Sequence, residues 1–228
     1  MHFPLPAGPQ PWISLVLAAA FWLLPAAGHA RDCDPTASLH PDALSIYARG
    51  GDLSEDLQSP SDPALEGVMQ SLIDDHPLFR EARSDERLSM VLVDLSNPCA
   101  IDAAFLRPDW EIFTASLSKM ALLLATVDDA YQQQAPQSLQ ALRESLIMMI
   151  RWSSNEDAVA LYYRLGVERV LASVQRHGLH HPVHGGLMWA MGTDYSSPTG
   201  SDSSITGTAR QIARYLLMME QGRLVSPE

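Results

Sequence analysis

The stretch Met120-Ala121-Leu122-Leu123-Leu124-Ala125-Thr126-Val127 constrains the fold more than any other part of the chain. It is built from good helix formers and is apolar at every angle around the axis, so a helix here has no face to give to water. Such a helix must be covered on all sides, and a single neighbouring helix cannot do that. The chain therefore has to assemble several elements around it. At 228 residues, 46% of them hydrophobic, it has the length and the apolar content to bury a sizeable core. Its 16 prolines and 13 glycines exclude a long coiled coil, and its hydrophobic content excludes a disordered chain.

Around this helix the periodicity places others. Pro63 starts a helix whose Leu65, Val68, Met69, Leu72 and Ile73 share one face, with Asp62 as its N-cap. Leu139–Trp152 reads as a helix, Glu156–Leu165 as a third stopped by Gly166, and Val167–His177 as a fourth stopped by Gly178. Thr208–Gln221 closes the series as an amphipathic helix. Leu88–Leu95, rich in Leu, Met and Val, reads as a strand; Trp110–Phe113 is a short extended piece after a loop holding Pro98 and Pro108. Leu179–Ser204 carries Gly, Pro, Ser and His without a period and reads as a long loop. Strands flanking a block of helices predict the α+β class or a three-layer sandwich, although two strands make a poor sheet. The chain stops on Arg223–Glu228 just past a helix and reads as unfinished.

The N-terminal residues read as separate from that domain. Trp12–Leu24 is apolar but for Ser14, about thirteen residues where a bilayer span needs about twenty. Pro25 and the small residues up to Ala30 complete the pattern of a secretory signal peptide over residues 1–30, with an n-region that lacks Lys and Arg; the alternative is an uncleaved anchor. Residues 31–60 are polar and Gly/Ser/Asp-rich and read as a flexible linker, followed by one domain over 61–228. Export makes the chain periplasmic or secreted, with no stable membrane anchor after cleavage. In an oxidising compartment Cys33 and Cys99 can form a disulfide or remain two thiols. With 27 acidic against 15 basic residues the formal charge is −12, which repels a phosphate backbone and excludes nucleic acid as a partner.

Of the 15 basic residues 14 are Arg, and Lys119 is the one lysine. An amine can lose its proton near neutral pH when buried; a guanidinium cannot. Ser116 lies three residues before Lys119, at the start of the apolar helix, and side chains at that spacing share a face. Helix N-terminus and burial both disfavour an ammonium there, and the amides of the first turn can help hold an oxyanion. The pair reads as a serine nucleophile with a lysine base. Ser153-Ser154-Asn155, between two helices, admits two readings. One is a capping cluster for the following helix, with Ser154 or Asn155 as N-cap. The other is a catalytic turn in which Ser153 relays a proton and Asn155 holds a substrate carbonyl. His177, His180, His181 and His184 are denied a regular helical face by Gly178 and Pro182, and read as a polar loop rather than a metal site.

Phe113-Thr114-Ala115-Ser116-Leu117-Ser118-Lys119 resembles the active-site segment of penicillin-recognising serine hydrolases, in the class A β-lactamase branch. Met149–Ala158 resembles that family's second motif with its flanks, and Thr208–Tyr215 and Gly222–Ser226 resemble a later helix and its exit. The resemblance runs over residues 63–228 and implies an α+β fold, an α/β three-layer sandwich of an antiparallel sheet with a helical subdomain, the sheet truncated in this chain. It implies Ser116 as nucleophile, Lys119 as base, Ser153 as relay to the leaving nitrogen and Asn155 as a substrate-binding amide, with no metal or organic cofactor. It implies a β-lactam or a peptidoglycan-type peptide as the small-molecule partner. A D-Ala-D-Ala peptidase-like acyltransferase, or a non-hydrolytic β-lactam-binding sensor, are the alternatives. The sequence departs from the family in three places. Ser154 stands where the second motif usually has Asp. The third motif, Lys-Thr-Gly, is absent up to Glu228. The region expected to hold a deacylating Glu, Leu187–Tyr195, has Asp194 as its one acid, to be read as a substitute base or as a loop cap.

Overall fold

The computed structural model describes residues 15–21, 57, 61–95, 101–191, 205–220 and 224. In chain order the elements are β1 (Leu15–Phe21), α1 (Pro63–Asp75), α2 (Pro77–Ser84), β2 (Leu88–Asp94), β3 (Asp102–Leu106), β4 (Ile112–Phe113), a 3₁₀ turn (Ala115–Ser118), α3 (Lys119–Gln132), α4 (Ser138–Arg151), α5 (Asn155–Leu165), α6 (Val167–Arg176), β5 (His180–His181), β6 (Gly185–Trp189), β7 (Ile205–Gly207) and α7 (Ala209–Glu220). This is a mixed α+β architecture with small sheets.

Two sheets organise the strands. In the first, of order β1-β2-β3, β2 pairs antiparallel with β3, and β1 adds in parallel along the other edge of β2. β1 falls inside the apolar run Trp12–Leu24, which the sequence reading set apart from the domain as part of a signal peptide; here its seven residues pair with β2, whose Leu, Met and Val content suits a further apolar strand at its edge. The second sheet, β4-β7-β6-β5, is antiparallel throughout. Helices cover both faces of the first. On one face Leu65, Met69 and Ile73 of α1 pack on Leu88, Met90 and Leu92 of β2; on the other, Val91 and Val93 meet Ala209, Ala213 and Leu217 of α7. The alternation of these β2 residues is the period of a strand buried on both faces. Leu57, fully buried, belongs to the second of these clusters.

The largest core gathers around α3, where Ala121, Leu122, Leu124 and Ala125 are all at most 2% exposed. They pack with Met149 of α4, Leu161 and Tyr162 of α5, Val170 and Val174 of α6, and Leu187–Trp189 of β6. Here the apolar helix finds the cover its sequence demands. Truncating Leu122 to Ala in such packing costs about 2–5 kcal/mol.

Four other differences from the sequence reading have physical reasons. Pro77–Ser84 forms α2, a short helix with no fully buried residue; Phe79 and Ala82 pack partly buried on the core of α1 and β2, a two-residue stripe too short to read as a helical period. Asp102–Leu106, read as loop, is β3; its Ala103 and Ala104 have little strand preference of their own, and pairing to Val93 and Leu92 decides the matter. The stretch read as a loop from Leu179 contains β5 and β6, whose paired residues include Gly185 and Gly186, the residues that signalled a loop. α7 is not amphipathic in its setting: Arg210, Gln211 and Arg214 are buried along with its apolar residues. Arg210 is held by Asp109 and by the carbonyl of Leu57, Gln211 by the carbonyl of Gly185, and Arg214 by that of Gly178. Among the described residues no helix is long and apolar enough to cross a membrane.

Candidate active site

Three segments meet at the N-terminus of α3. β4 pairs with β7, Phe113 opposite Thr206, and the Thr114 amide donates to the carbonyl of Ile205. This anchors the strand just before the chain turns. Ala115 then takes a left-handed conformation, φ +49°, and the 3₁₀ turn begins. Its hydrogen bond from Ser118 Oγ to the Ala115 carbonyl, 2.9 Å, tightens the turn. Ser116 is exposed at its tip, while Ser118 and Lys119 point into the protein. The second segment, between α4 and α5, contains the same device: Ser153 is left-handed at φ +56°. A residue with a Cβ pays about 1–2 kcal/mol for that conformation. Two such residues beside the two site hydroxyls are the strain expected where geometry serves chemistry.

Lys119 is 1% exposed, and its Nζ is ringed by oxygens. Nζ lies within hydrogen-bond distance of the Ser153 carbonyl at 2.6 Å, Asn155 Oδ1 at 2.7 Å, the Ser154 carbonyl at 3.2 Å and Ser153 Oγ at 3.3 Å. None of the four is a carboxylate. Burial pushes the amine below its ordinary range, because taking an ammonium out of water disfavours the charged form. Ser153 Oγ in turn donates to Ser116 Oγ at 2.7 Å. The sequence reading expected Ser116 and Lys119 to meet directly; the contact runs through Ser153 instead. Because Asn155 gives its carbonyl oxygen to Lys119, its amide N–H groups are the part directed elsewhere.

The two readings of the Ser-Ser-Asn turn turn out to be compatible. Ser154 is the N-cap of α5: its Oγ accepts from the Asp157 amide at 3.2 Å and donates to Asp157 Oδ2 at 2.5 Å. Hydrogen bonds from Ser154 and Ser145 hold the Asp157 carboxyl below the usual carboxylate range. An Asp at position 154 would set a second carboxylate against Asp157, so Ser suits this neighbour. With 154 occupied by the cap, 153 and 155 are left to face Lys119.

The structure thus brings Ser116, Lys119, Ser153 and Asn155 together. Asp194, Cys33 and Cys99 lie outside the described residues. Within the region searched for a deacylating acid, Leu187, Met188 and Trp189 are core residues of β6. What sequence reasoning missed are the two backbone carbonyls, of Ser153 and Ser154, that grip Lys119; the tight turn was the one available signal. Among the described residues no group of three or more His, Cys, Asp or Glu could hold a metal ion. A groove of about 710 Å³ between α3 and α4, lined by Leu123, Val127, Leu139, Leu146 and Ile147, contains none of the four site residues. Comparison of the chain with family models, with curated proteins and with solved structures yields no match.

Proposed function

We propose that the chain is an exported serine hydrolase of the β-lactamase type, with the corresponding sandwich of helices and antiparallel sheet, acting on β-lactams through an acyl-enzyme at Ser116. The observation that carries this reading is the continuous link from Ser116 Oγ through Ser153 Oγ to the buried Lys119 Nζ, at 2.7 and 3.3 Å, with burial lowering the pKa of the amine. With Lys119 neutral and both hydroxyls rotated so that Ser116 donates to Ser153 and Ser153 to Lys119, attack of Ser116 Oγ on the lactam carbonyl passes its proton to Ser153 Oγ while the proton of Ser153 passes to Lys119 Nζ. The C–N bond then breaks, and Ser153 returns a proton to the leaving nitrogen as Lys119 gives one back. Water completes the cycle by hydrolysing the ester. Asn155 offers its amide N–H groups to a substrate carbonyl. Proton transfer by groups held in this way contributes about 10²–10⁴-fold to a rate.

A reading in which the ester forms and persists is favoured by one further observation. The stretch Leu187–Tyr195, where the resemblance places a deacylating Glu, has Asp194 as its one acid. The test is labelling with a fluorescent penicillin. Wild type should take up the label covalently, Ser116→Ala and Lys119→Met should not, and equal labelling of Ser116→Ala would remove Ser116 from the reaction.

A further inference from the structure

The β5–β6 turn lies at the far end of the second sheet from Ser116, and its histidines have no part in the chemistry above. Their arrangement is specific. His181 Nδ1 accepts two backbone N–H groups, from Val183 at 3.1 Å and His184 at 3.2 Å. A ring nitrogen that accepts carries no proton, so this turn is closed by a neutral His181. The His181 ring stacks on His184, centroids 4.6 Å apart and planes 20° off parallel. His184 Nδ1 donates to Asp109 Oδ1 at 3.0 Å. That same carboxylate takes Arg210 Nε at 2.6 Å and Nη2 at 3.0 Å. The titratable and charged groups facing His181 are therefore His184 across the stack, Arg214 from α7 and Asp109 from the segment before β4. Asp109 is shared with His184 and Arg210, so positive charge added here meets a carboxylate already engaged.

From this geometry we infer that His181 is an acid-sensitive latch on the β5–β6 hairpin. Protonation at Nδ1 removes the acceptor for both turn amides and sets a cation face to face with His184, beside Arg214. The turn then loses its closure and gains repulsion in one step. Both histidines are partly exposed, so the proton has access from solvent. The consequence travels by pairing. The turn is pinned to α7 by Thr208 Oγ1 donating to the His184 carbonyl and by Gln211 Nε2 donating to that of Gly185. β6 pairs with β7, and the Ile205 carbonyl of β7 holds the Thr114 amide two residues before Ser116. Release of the hairpin on acidification loosens the support of the site at its far end. An exported chain meets the pH of its surroundings directly, which gives such a latch a signal to read.

Hydrogen exchange of the Val183 and His184 amides in the whole chain tests this, with intrinsic exchange rates divided out. In wild type their protection should fall by up to about tenfold between pH 7.5 and 5.5, the limit for one histidine gaining a proton on opening, while that of Ala125 in α3 stays level. His181→Asn supplies an acceptor oxygen that does not titrate over this range, and should keep both amides protected at pH 5.5. His184→Gln, which removes the stacked partner and keeps a donor toward Asp109, lets the closed turn tolerate a proton on His181 better and should make the loss of protection smaller. The inference is overturned if wild-type protection is the same at both pH values, or if His181→Asn loses it as wild type does.

Discussion

Replacing Lys119 by Arg separates charge from basicity at the centre of the site. The native amine is 1% exposed and meets four oxygens between 2.6 and 3.3 Å. A guanidinium is larger and planar, and it stays protonated at any pH the protein survives. Forcing it into this packing costs about 1–3 kcal/mol of stability. The kinetic loss should be larger, because among the described residues Lys119 is the one base within hydrogen-bond distance of Ser153 Oγ. Without general-base assistance the acylation rate should drop about 10²–10⁴-fold, equivalent to roughly 3–5 kcal/mol of barrier. The pH dependence carries the sharper signature. Burial lowers the Lys119 pKa, so wild-type acylation should climb with pH as the neutral amine is populated, levelling off before the ordinary lysine value of 10.5. The Arg variant should show no such climb. Labelling rates measured between pH 6 and 10, with melting curves to confirm that the variant is folded, make the comparison. Acylation by a folded Lys119→Arg chain within a few-fold of wild type, with the same pH profile, would refute a base role for Lys119.

Three other variants probe the scaffold. Ser154→Ala removes the N-cap of α5 and should lower stability by about 1 kcal/mol in denaturant titrations, since a capping hydroxyl satisfies an otherwise orphan amide. Gly207→Ala places a Cβ 3.0 Å from Thr114 Cγ2 and 3.3 Å from Leu187 Cδ1. It should cost about 1–3 kcal/mol and slow labelling as well, because Thr114 sits two residues before the nucleophile. Leu122→Ala, in the middle of the largest core, should cost about 2–5 kcal/mol in the same titrations, and an effect below 1 kcal/mol would place α3 in a less packed setting than the one described.

The parts of the fold that were legible in the sequence are those whose cause is local. α3 announces itself by having no polar face, and α1 by its apolar stripe and by Asp62, whose Oδ1 accepts from the amides of Ala64 and Leu65. The boundaries of α5 and α6 follow from Gly166, which takes φ +78° between them. The strands that were missed are the ones whose cause is distant. β5 has two residues, β7 three, and β3 begins at Asp102, which lies opposite Asp94 in a register that no local preference favours. Burial and these two acidic neighbours, Asp62 and Asp94, raise the Asp102 carboxyl above its usual range. α7 misled for the same reason: Arg210 and Arg214 look like a solvent face until Asp109 and the Gly178 carbonyl are brought to them across the fold. At the site, the lone lysine and its spacing from Ser116 were readable, since the residue types themselves carry the chemistry. Joining them through Ser153 requires two turns with left-handed residues to face one another, and neither Ala115 nor Ser153 is a residue type that signals that conformation.

The most direct test of the account is the mass of the chain after a short pulse of penicillin. Intact-protein mass spectrometry should show a single penicilloyl addition, peptide mapping should place it on Ser116, and the adduct should persist for minutes or longer because Leu187–Tyr195 has Asp194 as its one acid in place of the family's Glu. An unchanged mass at saturating penicillin, or an addition mapped to any residue other than Ser116, would contradict it.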